Sequence, residues 1–153
     1  MVKQNLHSIS GTLENLLSWA KKSMDSGFTT NPTNFDVIIL IDEVIKQLQP
    51  IASAKKIEFN IEKEYKKTLV FADKEHVEIV LRNLINNAIK FSYTNTTINI
   101  KIKTDVSNAN CYQVSVSNVG VKLDVETINK FFKDGKNVRL KEGTKGEKGT
   151  GIG

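Results

Sequence analysis

The stretch RNLINNAIKFS, Arg82 to Ser92, sets three asparagines inside a strong helical repeat. Val77, Val80, Leu81, Leu84, Ile85 and Ala88 recur at helical spacing and predict one apolar face. Asn83, Asn87 and Lys90 fall at i, i+4 and i+7 and share a second face. Asparagine disfavours helix interiors because its amide competes for backbone hydrogen bonds. A carboxamide oxygen is a neutral, hard ligand, suited to a magnesium ion that keeps most of its waters and phosphate oxygens. A lysine one turn on suits a phosphate. The same spacing also fits a solvated polar face on a core helix. The partners along the chain decide between the two.

The flanking pattern predicts an α+β fold. Ile57, Phe59 and Ile61 alternate with polar residues as a half-buried strand does, and Thr68 to Ala72 reads as a second short strand. Asp73 is placed to cap the asparagine helix. Thr97 to Lys103 and Tyr112 to Ser117 alternate on either side of the turn-forming Asp105 to Asn110, which predicts an antiparallel hairpin. An earlier helix carries Val37, Ile38, Ile41, Val44, Ile45 and Leu48 on its buried side, with Phe35 and Asp36 near its start. Pro50 is expected to kink it or end its regular part. Further upstream, Leu6, Ile9, Leu13, Leu16, Leu17 and Ala20 predict an amphipathic helix over 2–24, followed by the breaker-rich connector GFTTNPTN. Val125 to Phe132 reads as a short helix.

The 153 residues suffice for one ordinary domain plus an appended element. The longest purely apolar run, Val37 to Ile41, is far too short to cross a bilayer. Cys111, the single cysteine, cannot form an internal disulfide, which fits a reducing cytoplasm. Its strand-like surroundings predict a buried thiol. Of the net charge of +5, +3 lies from Lys133 onward, where six cations face three anions. No aromatic residue interleaves with those charges, so bases have no stacking platform. A local anion such as a nucleotide triphosphate matches better than a nucleic acid. The chain ends in GEKGTGIG, where Gly149, Gly151 and Gly153 alternate with small or apolar residues. Such spacing lets backbone N–H groups approach phosphate oxygens, and it equally suits a loop with no ligand.

Taken in order, these segments resemble one family. NLINNAIKFS looks like the N box of sensor histidine kinases and their ATPase relatives. VSVSNVGVKLD, from Val114 to Asp124, resembles the next box, usually D-x-G-x-G after a strand. Phe131 and Phe132 sit where the family has a phenylalanine segment, and GTKGEKGTGIG resembles its second glycine box. LENLLSWAKK, from Leu13 to Lys22, resembles the end of the dimerisation helix pair. The resemblance implies a two-layer α/β sandwich of a mixed sheet and helices, incomplete at its C-terminus, preceded by one amphipathic helix. Residues 1–26 would be the remnant of the dimerisation domain, 27–36 a linker, and 37–153 a partial ATP-binding domain.

By the same similarity Asn87 would ligate magnesium, Asn83 would support the metal–phosphate region, and Lys90 would contact phosphate. Asn118 stands where the family's aspartate accepts a hydrogen bond from the adenine amino group. Gly120 would let the chain pass close beneath the base. Residues 141–153, with Gly149, Gly151 and Gly153, would form a lid and its hinge over the triphosphate. The implied cofactors are ATP and Mg²⁺. The implied partners are a second copy bound through the N-terminal helix and a response-regulator receiver domain. The implied reaction is phosphoryl transfer to a histidine, then to an aspartate.

Several positions depart from the family pattern. ATP-hydrolysing relatives carry a glutamate general base four residues before the metal asparagine; here Asn83 cannot take a proton, which favours transfer over hydrolysis. Asn118 is a weaker acceptor than a carboxylate, a loss worth about 1.5–3 kcal/mol. Lys122 replaces the second glycine of its box, so its side chain either crowds the base or reaches outward. His7 is followed by Ser8 rather than an acid, so no phosphoacceptor histidine is recognised, and the family's closing helix and strands are not present. A fragment with little autophosphorylation of its own is therefore expected. The alternative is a degenerate, non-catalytic nucleotide-binding or scaffold module.

Overall fold

The computed structural model describes residues 30–64, 66–108, 110–122 and 143–146. The expected helices over 2–24 and 125–132 lie outside the described residues, as do Gly149, Gly151 and Gly153. A boundary between two compact units falls after Asn31, and the elements below belong to the unit that begins at Pro32.

Strand β1, Pro32–Asp36, opens that unit inside the stretch expected to be linker. It pairs antiparallel with β3, Leu69–Asp73, to make a two-stranded sheet. Helix α1, Val37–Ala54, follows at once, because Asp36 is its N-cap. The Asp36 carboxylate accepts from the Ile38 amide at 3.0 Å and from the Thr68 amide at 3.3 Å, so one side chain starts the helix and holds the head of β3. Pro50 lies within α1, which continues to Ala54 rather than ending there. Its end is a Schellman turn: Lys56 N–H donates to Ser53 O at 2.9 Å and Ile57 N–H to Ala52 O at 3.0 Å. Lys56 takes the left-handed conformation this needs, at φ 53°.

Strand β2, Glu58–Lys63, runs parallel to β4, Thr97–Thr104, which pairs antiparallel with β5, Tyr112–Ser117. This second sheet is mixed, in the order β2–β4–β5, and the expected hairpin is its β4–β5 half. Helix α2, Lys74–Phe91, carries the chain from β3 to β4.

The sheet is two-faced because its strands alternate. Ile98, Ile100 and Ile102 of β4 point one way and are no more than 2% exposed. They meet Leu40, Ile41 and Val44 of α1 and Leu81, Ile85 and Ile89 of α2 in one core. The opposite face is polar: Asn60 bonds Asn99 at 3.0 Å, and Glu62 pairs with Lys101 at 3.3 Å. The result is a two-layer α+β arrangement of helices on one side of a mixed sheet. Cys111 departs from expectation. It is exposed, because it lies in the β4–β5 turn rather than in the strand.

Candidate functional site

Helix α2 begins where the sequence puts it. The Asp73 side chain accepts from the His76 amide at 3.0 Å. The helix stops at Ser92, whose hydroxyl turns back to Ala88 O at 2.6 Å. Leu81, Ile85, Ala88 and Ile89 are buried. Val80 and Leu84 of the expected apolar face are instead 56% and 45% exposed. They border a groove of about 330 Å³ between α2 and β5, with Val37, Val77, Tyr112 and Val114. Among the described residues no predicted site residue lines this groove, and its largely apolar walls suit neither phosphate nor metal.

The asparagines occupy the other flank. Asn83 and Lys90 are half-buried; Asn86 and Asn87 are exposed. The Lys90 ammonium lies 5.0 Å from the centre of the Phe91 ring.

After β5 the chain returns to the end of α2. Tyr93 N–H donates to Val119 O at 3.0 Å and Val121 N–H to Phe91 O at 2.9 Å. Ser92 and Gly120 thereby form an isolated antiparallel bridge. A Cβ on Gly120 would sit 1.8 Å from the Phe91 carbonyl oxygen, so only glycine fits. The close approach at Gly120 is thus to the chain's own backbone, and it brings Asn118 alongside the last turn of α2. Asn118 and Lys122 are both exposed.

Residues 143–146 also reach this end of α2. They form a turn closed by Gly146 N–H to Gly143 O at 2.9 Å, and Thr144 N–H donates to Lys90 O at 3.2 Å. Beneath them the Lys55 side chain, from the end of α1, donates to Ile89 O and Lys90 O. Sequence reading passed over Lys55 and Thr144. The one local signal was a lysine at the end of a helix, a position where cations bind carbonyls. Nothing local says that the carbonyls belong to a different helix.

A family profile for histidine kinase-, DNA gyrase B- and HSP90-like ATPases matches residues 72–153, a span that opens just before the Asp73 cap. Two adaptive-response sensory kinases SasA of Prochlorococcus marinus are similar along the whole chain. That of strain SARG / CCMP1375 is 31% identical, and that of strain MIT 9215 is 29% identical. The chain spans only 39% and 40% of their lengths. Among solved structures, the nucleotide-free catalytic domain of histidine kinase ThkA superposes with a TM-score of 0.64 at 28% identity, over 72% of this chain and 73% of that one. ThkA in complex with the response regulator TrrA gives 0.65 at 27% identity, over 86% of this chain and 39% of that one. The α2 helix with its asparagines, the mixed sheet beneath it and the matched span agree: the chain belongs to the histidine kinase-, DNA gyrase B- and HSP90-like ATPase family, in its sensor histidine kinase branch.

Proposed function

We propose that this chain binds ATP as its magnesium complex and is the nucleotide-binding part of a kinase that phosphorylates a histidine and then an aspartate of a receiver domain. The observation that carries this is the joining of two boxes at one end of α2. The helix bearing Asn83, Asn87 and Lys90 ends against the turn bearing Asn118 and Gly120.

The residues present fit the cofactor. Asn87 is exposed near the C-terminal end of α2, and its carboxamide oxygen is of the type that ligates a hydrated ion. Among the described residues no group of three His, Cys, Asp or Glu could hold a metal by itself. Magnesium would therefore take Asn87 from the protein and the rest from nucleotide oxygens and water, the set it favours. Asn83 would support that region, and Lys90 would place a positive charge on phosphate. Asn118 would accept from the adenine amino group. Gly149, Gly151 and Gly153 would offer backbone N–H groups to the phosphates. Bound Mg-ATP supplies the phosphoryl group, and the chain's part is to hold and orient it. Asn83 has no proton-accepting carboxylate, so this position offers an attacking water no base, which favours transfer to a side chain.

ThkA was crystallised with a response regulator. By analogy the partner here is a receiver domain, and the Leu6–Ala20 face would join two copies in a cytoplasmic kinase. No described helix is long and apolar enough to cross a membrane.

A second reading, a non-catalytic module, draws on the exposed Asn118 and Lys122 in place of the family's aspartate and glycine. Calorimetry with Mg-ATP on the wild-type chain and on Asn87→Ala separates the two. Binding by the wild type that weakens at least about tenfold in the variant is the expected result. Binding by neither supports the non-catalytic module.

A further inference from the structure

We propose that Lys55 and Thr144 are positioning residues for the nucleotide site: together they fix the last turn of α2, and with it Lys90, and tie residues 143–146 to that turn. This inference rests on the nucleotide reading above.

Lys55 is only 3% exposed. A buried ammonium is costly unless each of its donors finds an acceptor. Here Nζ donates to Ile89 O at 3.0 Å, to Lys90 O at 2.8 Å and to Thr144 Oγ1 at 2.8 Å. The first two acceptors lie in the last turn of α2, where unpaired carbonyls carry the negative end of the helix dipole. The cation comes from the end of a different helix.

Thr144 completes the junction. Its hydroxyl accepts from Lys55 and donates to Ser92 O at 2.6 Å, which uses its one proton. Its amide donates to Lys90 O. Next to it, the Lys145 ammonium donates to Ala54 O at 3.1 Å, so the end of α1 receives a cation from this turn while giving one to α2. The Lys55 carbonyl also accepts from Asn95 N–H at 3.0 Å, which anchors the lysine's own backbone.

The consequence concerns Lys90. Its carbonyl is held by the Lys55 ammonium and the Thr144 amide, so its Cα is set by two elements distant in sequence. A phosphate-contacting side chain tolerates little displacement, because orientation supplies much of the binding. The glycines implicated in phosphate binding begin at Gly149, three residues beyond Gly146. Along the chain Thr144 lies between Lys90 and Gly149, the two parts of the sequence that the reading assigns to the polyphosphate.

The test uses the intact 153-residue chain. Thr144→Val keeps the shape and removes the hydroxyl, Thr144→Ser restores it, and Lys55→Met removes the cation. Mg-ATP affinity is read by calorimetry, adenosine affinity by NMR titration, and folding by thermal unfolding. Thr144→Val is expected to weaken Mg-ATP about tenfold with adenosine affinity unchanged, and Thr144→Ser to bind both as the wild type does. Lys55→Met should show the same pattern; if it fails to fold, Thr144→Val decides. An unchanged ratio of Mg-ATP to adenosine affinity in Thr144→Val overturns the positioning role, even if its melting temperature falls. A wild-type chain that binds no Mg-ATP overturns the nucleotide reading itself, and this inference with it.

Discussion

The backbone of Gly120 touches that of Phe91: a Cβ built on the glycine lies 1.8 Å from the Phe91 carbonyl oxygen and 2.7 Å from its carbonyl carbon. The obstacle is backbone, so no rotamer change relieves it. Gly120→Ala must break the bridge to Ser92 or displace the end of α2. Gly146 needs glycine for a different reason. It has φ 77° and nothing within 4 Å of its missing Cβ. Urea unfolding should separate the two. Gly120→Ala is expected to lose about 3 kcal/mol, the upper end of overpacking, and Gly146→Ala only about 1 kcal/mol of left-handed strain. Equal losses would contradict this account.

Lys56 is the reverse case, a side chain where glycine belongs. It holds the left-handed position of the Schellman turn that ends α1, with φ 53°. Ile57, the next residue, is 2% exposed, so the turn delivers an apolar residue straight into the core. Lys56→Gly relieves the strain while loosening the unfolded chain. A net gain of up to about 1 kcal/mol in chemical denaturation is expected. A loss would mean that the lysine stem makes a contact worth more than the strain.

Much of this fold was legible in the sequence, and the misses have physical causes. The isoleucines of β4 alternate strictly because one face is buried, and Asp73 reads as a cap because its carboxylate has an amide to bind. Pro32–Asp36 was missed because PTNFD has no strand pattern of its own. It is a strand because β3 pairs with it and because Asp36 serves both β3 and α1. Periodicity in α2 showed a broad apolar stripe but could not say how much of it a partner covers. Asn83, Asn87 and Lys90 were legible as one face of a helix, whereas their link to Asn118 and Gly120 depends on backbone bonds to Phe91 and Tyr93. Lys55 could not be found, since its acceptors lie 34 to 89 residues away.

That α2 stripe divides into two parts that mutation can tell apart. Leu81 is 3% exposed in the core, and Leu84, one turn on, is 45% exposed at the groove rim. Leu81→Ala is expected to cost about 2–5 kcal/mol, the transfer loss plus a cavity. Leu84→Ser should stay within about 0.5 kcal/mol, as for a surface substitution. Thermal and urea unfolding of the 153-residue chain measure both. If Leu84→Ser costs as much as Leu81→Ala, the groove rim is covered in solution.

Asp105 opens the β4–β5 turn, and Ser107 grips its carboxylate twice. The Ser107 hydroxyl donates to Oδ1 at 2.6 Å and its amide to the same oxygen at 2.8 Å. Donors stabilise the ionised form, so the pKa of Asp105 lies below the ordinary aspartate value. The Ser107 hydroxyl contributes most, then its amide, with the Asn108 amide and Lys103 adding less. The folded pKa is the depressed one, so the associated stability is present above the unfolded value, near about 4. It is lost as pH falls through the folded value. Ser107→Ala removes the hydroxyl and keeps the amide. An NMR titration of the Asp105 carboxyl should therefore show its pKa rising in the variant while remaining below that of an unstructured aspartate. A pKa that does not move would show that the backbone of the turn, rather than the serine hydroxyl, holds the charge.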